Sequence, residues 1–412
     1  MTVTTSNRMP RRTEPNLDLN LRTNNLGARA LRILFVINSP IIGGAERHTF
    51  DLALGLTGMG CPVTVFAIKP GPRQPDPSVR LRVPATWRGL ARRLRELSEE
   101  IREDRPDIVV SVNERPVMVA GLGRWLAGGQ EPFIAISHST VLNNNWERFL
   151  QLLYNRFFNR ANSVIFVSHK QSDYWSNHGM RPRRAVTIHN GVDPEFFSRR
   201  YTCEHRAAAR ARFGFQDGDF VVGCCAVMRP EKNHLQLLSV VASLRRRGIP
   251  AKALLVGDGV MRAVIEAHIV SLSLQSAVFI SGVTEDVRPF IAAFDVGALC
   301  SVSIETLSLA ALEIMSMGIP MVMSDLGGAS EIIDDTNGAL FRVGDDRGFE
   351  DALSAFVDVD RRGHAGEAAR RTVEARFQFE TMVESYHRHF RDVLMATLLR
   401  NESRLSPSGT RL

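Results

Sequence analysis

No apolar run in the chain reaches the ~18 residues that a membrane-spanning helix needs, so no spanning segment is expected. Residues 1–29 are rich in Thr, Asn and Arg and contain no apolar h-region; a disordered tail is expected there rather than an ordinary signal peptide. Cysteine is scarce: five residues, Cys61, Cys203, Cys224, Cys225 and Cys300, with no C-x-x-C pair, read as free thiols in a reducing cytoplasm. Lysine is scarcer still. Only Lys69, Lys170, Lys232 and Lys252 occur, and arginine supplies the rest of the 51 basic residues behind a net charge of +7. Such a balance suits nucleic acid, anionic lipid or phosphorylated ligands. The arginines are spread along the chain, however, and no nucleic-acid motif is present. No nucleic-acid partner is expected, while the lipid reading stays open.

With 412 residues, 44% hydrophobic and 23% charged, the chain is long enough for two soluble domains with separate cores. Short apolar runs alternate with helical patterns. Strands are expected at 31–38, 63–68, 108–111, 133–137, 164–167 and 185–188. A second set is expected at 220–226, 253–256, 278–280, 296–300 and 320–323. This rhythm predicts doubly wound parallel sheets. The five prolines in 69–84 mark a loop. Residues 194–219, charged and short of apolar periodicity, read as an inter-domain connection.

The most informative stretch is 295–331, DVGALCSVSIETLSLAALEIMSMGIPMVMSDLGGASE. A strand, a loop, a helix over 307–317 ended by Gly318, and a second strand make one βαβ unit. Ligands of such sheets sit where strand carboxyl ends meet helix amino ends. The loop 301–306 lies at that edge, and with the helix amino end and Ser301, Ser303, Thr306 and Ser308 it suits a phosphate. Glu305 on the loop and Glu313 on the helix would repel that phosphate. Sugar hydroxyls suit them instead, since one carboxylate accepts two.

The E-x7-E spacing, the following M-G-x-P and the segment Asp325-Leu-Gly-Gly-Ala-Ser-Glu331 resemble glycosyltransferase family 4. Its members are retaining, nucleotide-sugar-dependent enzymes of the GT-B fold, with two Rossmann-like doubly wound parallel-sheet domains facing across a cleft. The resemblance implies that Glu305 faces the donor sugar and Glu313 the ribose hydroxyls, with Thr306, Leu307 and Ser308 at the diphosphate. Most members have Gly where Thr306 stands. Gly43 and Gly44, in Gly-Gly-Ala-Glu46 before a helix, resemble the loop that meets the diphosphate or the acceptor; alone, the pair also fits a plain tight turn. His138, after the strand 133–137, resembles a strand-end histidine that contacts donor sugar or acceptor, although a lone histidine is more often structural. His189-Asn-Gly-Val-Asp193 resembles the family's hinge segment. In Val227-Met-Arg-Pro-Glu-Lys232 the lysine matches one of two diphosphate cations, but Val227 stands where the family's arginine belongs. Arg229, two residues on, is its expected replacement. Gly282, in the loop 282–286, corresponds to backbone contacts to the base.

No cofactor and no metal are expected: no Asp-x-Asp stands at a strand end beside the phosphate loop, and Asp334-Asp335 and Asp345-Asp346 fall in later turns. A lysine-bound pyridoxal phosphate, as in a GT-B phosphorylase, fits poorly with four lysines. A sugar-nucleotide epimerase and a non-catalytic sugar-nucleotide sensor remain the alternatives. The expected partners are a nucleotide-sugar donor and a glycan or lipid-linked acceptor. Two amphipathic helices bear on membrane contact. One, over 87–103, is basic; the other, over 146–160, carries Trp146, Phe149, Tyr154, Phe157 and Phe158. Packing within the protein is the commoner cause of such patterns, yet peripheral contact at the inner membrane face stays open. Asn143 to Asn145 form a polar loop on the acceptor side. The expected organisation is a tail (1–29), an acceptor domain (30–200), a nucleotide-sugar domain (201–376), a helix crossing back (377–399) and a second disordered tail (400–412).

Overall fold

The computed structural model describes residues 29–40, 43–72, 76–86, 89–139, 145–303 and 305–405. The expected tail 1–29, apart from Arg29, lies outside them, as do Trp87, Arg88, Asn143 and Asn144 of the expected helix start and acceptor loop. Two parallel sheets organise the chain. The first holds β1 (Ile33–Ile37), β2 (Val63–Ala67), β3 (Arg80–Arg82), β4 (Ile108–Val112), β5 (Phe133–Ser137), β6 (Ser163–Phe166) and β7 (Ala185–Thr187). Their order is β3-β2-β1-β4-β5-β6-β7. The second holds β8 (Phe220–Cys225), β9 (Ala251–Val256), β10 (Val278–Ile280), β11 (Val296–Leu299), β12 (Met321–Ser324) and β13 (Gly338–Phe341), in the order β10-β9-β8-β11-β12-β13. Central strands such as β1, β4, β5 and β8 are buried along their whole length, which is why they read as unbroken apolar runs.

The strand order reverses between β1 and β4 and again between β8 and β11. At such reversals the loops diverge and leave a crevice at the carboxyl ends of the strands. The loops after β1, β8 and β11 carry Gly43–Gly44, Arg229–Lys232 and Glu305. The topology alone therefore brings three separated motifs to two facing crevices.

Four expectations are corrected. The proline-rich loop 69–84 contains the edge strand β3, whose arginines pair with Glu100 and Asp104 instead of packing. The connection 194–219 contains a helix, Arg199–Arg212, capped by the Ser198 side chain. Its inner face is charged: Arg206 and Arg210 reach the buried Asp295 at 2.6 and 3.1 Å, a pattern that apolar periodicity cannot register. The terminal helix runs Phe379–Leu405, so residues 400–405 are helical rather than part of a tail. On the helix Asn145–Phe158, Phe158 is core, but Phe149, Leu152 and Leu153 are exposed at 53, 63 and 44%.

The basic helix Leu90–Asp104 packs inward through Leu97 and Ile101. The terminal helix crosses back as expected. Met382, Val383, Tyr386, Phe390, Val393 and Leu394 are buried in the first domain's core beside Phe35, at about 1.5–3 kcal/mol for each large apolar side chain. Gly55 makes this crossing close, since a Cβ there would lie 2.6 Å from Val383. Cys61, Cys224, Cys225 and Cys300 are buried free thiols and Cys203 is exposed. Among the described residues no helix is long and apolar enough to cross a membrane.

Candidate active site

The loop after β11 is pinned before it presents any side chain. The Ser324 hydroxyl donates to the Ser301 carbonyl at 2.7 Å, and the Val302 amide to the Glu231 carbonyl at 2.9 Å. Behind it the turn Asp325–Gly328 lies flush: a Cβ on Gly327, at φ 55°, would meet the Glu305 carbonyl at 1.7 Å, and one on Gly328 the Thr306 carbonyl at 2.0 Å. Only glycine allows that approach. The Gly328 amide then donates to the Thr306 carbonyl at 2.8 Å. The Leu307 carbonyl accepts from Asn190 Nδ2 at 2.7 Å, and Ser308 caps the helix Leu309–Ser316 through the Ala311 amide. Backbone at the helix amino end is thereby oriented by contacts from two directions.

Glu305 and Lys232 meet. Lys232 leaves the 3-10 turn Pro230–Lys232, and its Nζ lies 2.8 Å from Glu305 Oε2, which also accepts from Ser301 Oγ at 3.0 Å. Burial alone would lower the Lys232 pKa; the Glu305 carboxylate outweighs it and the net shift is upward. A buried pair contributes little to stability because desolvation offsets its attraction. The pair stands at a crevice, with the Lys232 cation beside the hydroxyl-rich loop 301–306. Arg229 is not brought into this cluster. Its side chain is half exposed, with Nη1 3.9 Å from Glu231.

Glu313 is nearly inaccessible, at 2%, and is met across the cleft by Arg47, whose Nη1 lies 2.5 Å from its Oε1, out of line for a directed hydrogen bond. Burial raises the Glu313 pKa to about 7 despite the arginine, which pulls it down. Gly43, in extended backbone at φ −163°, precedes the helix Gly44–Gly58 that carries Arg47. Gly282, at φ 77°, bridges to Gly257 at the end of β9.

His138 sits at the end of β5, and its amide donates to Asn113 Oδ1 at 2.8 Å. Asn113 itself is held at φ 70°, a left-handed value for a residue with a side chain. The His138 ring packs edge-on to His48 at 4.5 Å, and His48 to Tyr386 of the terminal helix at 5.5 Å. Burial lowers the His138 pKa to about 4 and that of His48 well below its usual value. Both rings are neutral near pH 7. Beside them Glu114, its pKa raised by burial, accepts from the Ser139 hydroxyl.

A second crossing of the cleft involves Glu331. Its carboxylate accepts from the His169 and Lys170 amides, at 3.0 and 2.9 Å, at the start of the helix His169–Asn177, and contacts His189 Nε2 at 2.9 Å. His169, His189 and Glu331 offer three metal-ligand atoms within 4.8 Å of one another, but the carboxylate oxygens already hold these partners. Sequence reading missed Arg47, His48, Asn113 and Glu331 as site residues. For Arg47 a signal existed, since it follows the Gly43–Gly44 loop in the first helical turn.

The first domain matches the model described as Glycosyltransferase Family 4 over residues 42–196, and the second matches Glycosyl transferases group 1 over 219–358. Among curated proteins, the N-acetyl-alpha-D-glucosaminyl L-malate synthase of Bacillus anthracis is 27% identical over 52% of this chain and 56% of its own length. A GDP-mannose-dependent alpha-(1-6)-phosphatidylinositol dimannoside mannosyltransferase of Mycobacterium tuberculosis is 29% identical over 57% of this chain and 61% of its own. The chain thus spans little more than half the length of these relatives. Of solved structures, Anabaena HepE in complex with UDP-glucose superposes with a TM-score of 0.77 at 20% identity, over 88% of this chain and 100% of that one. WaaG, a glycosyltransferase involved in lipopolysaccharide biosynthesis, superposes at 0.70 and 17% identity, over 88 and 99%. Two Rossmann-like domains in this arrangement are the GT-B fold, and the chain belongs to the group 1 glycosyltransferases of family 4.

Proposed function

We propose that this chain transfers a sugar from a nucleoside diphosphate sugar to a hydroxyl of a glycan or lipid-linked acceptor, with retention at the anomeric carbon and without a metal. The Lys232–Glu305–Ser301 cluster beside a helix amino end, with Glu313 eight positions along, carries the reading. A leaving diphosphate needs positive charge, which Lys232, Arg229 and the helix amino end can supply. Glu305 and Glu313 suit the hydroxyls of sugar and ribose. Relatives named for GDP-mannose and neighbours solved with UDP-glucose support a uridine or guanosine diphosphate donor.

Retention fits same-face attack, in which the acceptor oxygen bonds to the anomeric carbon as the glycosyl–phosphate bond breaks. The acceptor's proton passes to the departing phosphate oxygen. Double displacement would need a carboxylate nucleophile on the sugar's other face, its partner ~5 Å away. On the first domain His138, at the end of β5, stays neutral. The nearby Glu114 is occupied by Ser139, and burial favours its protonated form. NMR of the first-formed product tests this. An α-linked product from an α-linked donor, formed in the presence of a chelator, is expected. A β-linked product, a strict need for Mg²⁺ or Mn²⁺, or a glycosyl adduct on Glu114 would overturn the mechanism.

The exposed Phe149, Leu152 and Leu153 on the helix Asn145–Phe158 support a lipid-linked acceptor, as do the phosphatidylinositol mannosides in relatives' names. Co-flotation with anionic vesicles, lost on Leu152→Ser, checks this part.

A further inference from the structure

We propose that Arg47 binds the donor's diphosphate from the first domain, exchanging Glu313 for the phosphates as the donor's ribose takes Glu313. The inference rests on the functional reading above and adds to it a cation that crosses the cleft. Three observations carry it.

Arg47 and Glu313 are matched in charge but not in setting. The carboxylate is buried, whereas the Arg47 side chain is 38% exposed and within 3.6 Å of the equally exposed Asp51. Arginine–carboxylate pairs are frequently two-pronged forks. Here the closest approach, Nη1 to Oε1 at 2.5 Å, does not complete a hydrogen bond to Oε1. The contact is therefore replaceable by a ligand with better-placed donors.

The sheet also places the pair. The helix carrying Glu313 follows β11, the neighbour of β8, and from the end of β8 departs the loop bearing Val227, Arg229 and Lys232. Arg47, paired with Glu313, brings a cation from the first domain to this crevice.

Charge balance completes the case. A diphosphate adds negative charge to a crevice that already holds Glu305 and Glu313. Lys232 is committed to Glu305, and Arg229 lies nearest Glu231. When Arg47 moves to the phosphates, Glu313 loses its counter-ion and gains two ribose hydroxyl donors. Each charged group keeps a partner, and the exchange forms and breaks no covalent bond.

Calorimetry on the full chain separates the outcomes, with UDP, GDP, uridine and guanosine as probes. Arg47→Ala should weaken the preferred diphosphate about 10-fold or more, the scale of a lost hydrogen bond between charged groups. Its nucleoside should bind as before or more tightly, because Glu313 is released. Arg47→Lys should recover part of the loss. Arg47→Gln serves as the second test if the alanine variant melts early. Equal weakening of diphosphate and nucleoside would mean that Arg47 only orients Glu313, and unchanged diphosphate affinity would also overturn the proposal. If the wild type binds neither diphosphate, the functional reading itself fails and takes this inference with it.

Discussion

Glu313 and Glu331 both leave the second domain to meet the first, and their carboxyl groups titrate in opposite directions. Burial moves each upward. Glu331 is nevertheless drawn down to about 2, because His189 and the amides of Lys170 and His169 converge on it. Glu313, facing one out-of-line guanidinium, stays up at about 7. The difference lies in prearranged donors. A carboxylate at a helix start with three partners is finished, and it joins the domains. One that is buried with too few donors is costly in the protein alone, which makes Glu313 a candidate partner for a ligand's donors.

The largest effect expected is on binding. Glu313→Ala should weaken nucleoside diphosphate affinity by about 1.5–3 kcal/mol, the range for hydrogen bonds to a charged group, while Glu331→Ala should leave the nucleoside's own contacts intact. Titration calorimetry on folded variants distinguishes them, and equal losses would erase the contrast. Next comes stability. Glu331→Ala should cost about 1–2 kcal/mol near pH 7, as loss of a helix-start acceptor does. Its folded pKa is depressed, so its contribution is complete above about pH 4.5 and is lost as pH falls towards about 2. Denaturant melts of variant and parent should converge in acid.

Glu313 should show the reverse. Its folded pKa is raised, so its contribution is complete below about pH 4.5 and is lost as pH rises through about 7. Glu313→Gln should therefore gain stability relative to the parent over that window, and a flat difference would mean that the carboxyl is not desolvated. The smallest change expected is Tyr386→Phe. The buried hydroxyl has no hydrogen-bond partner among the described residues. Removing it should shift stability by less than about 0.5 kcal/mol, or raise it, since no partner is orphaned. A loss above about 1 kcal/mol in thermal melts would reveal a bound water bridging Tyr386 to His48.

Legibility followed the source of each signal. Strands β1, β5 and β8 stood out because burial on both faces leaves an unbroken apolar run. The helix Arg199–Arg212 did not, because its inner face is built from arginines that need Asp295, far along the chain. Strand β13, Gly338–Phe341, was missed: it is an edge strand that opens on a glycine and leaves its two middle residues half-buried. On the terminal helix the spacing of Met382, Tyr386, Phe390 and Leu394 forecast a buried stripe correctly. The same reasoning erred at 146–160, where an apolar stripe is partly bare.

Local pattern was sufficient for the βα rhythm, for the E-x7-E helix beside its hydroxyl-rich loop, and for the glycines of Asp325–Gly328, because each depends on neighbours in the chain or on backbone shape. Which charges meet is a different matter. Lys232 meets Glu305 only because β8 and β11 lie side by side, and Arg47 meets Glu313 and His189 meets Glu331 only when the two domains face each other. Coulombic and desolvation energies depend on separation in space and access to water, and neither quantity is written in the order of residues.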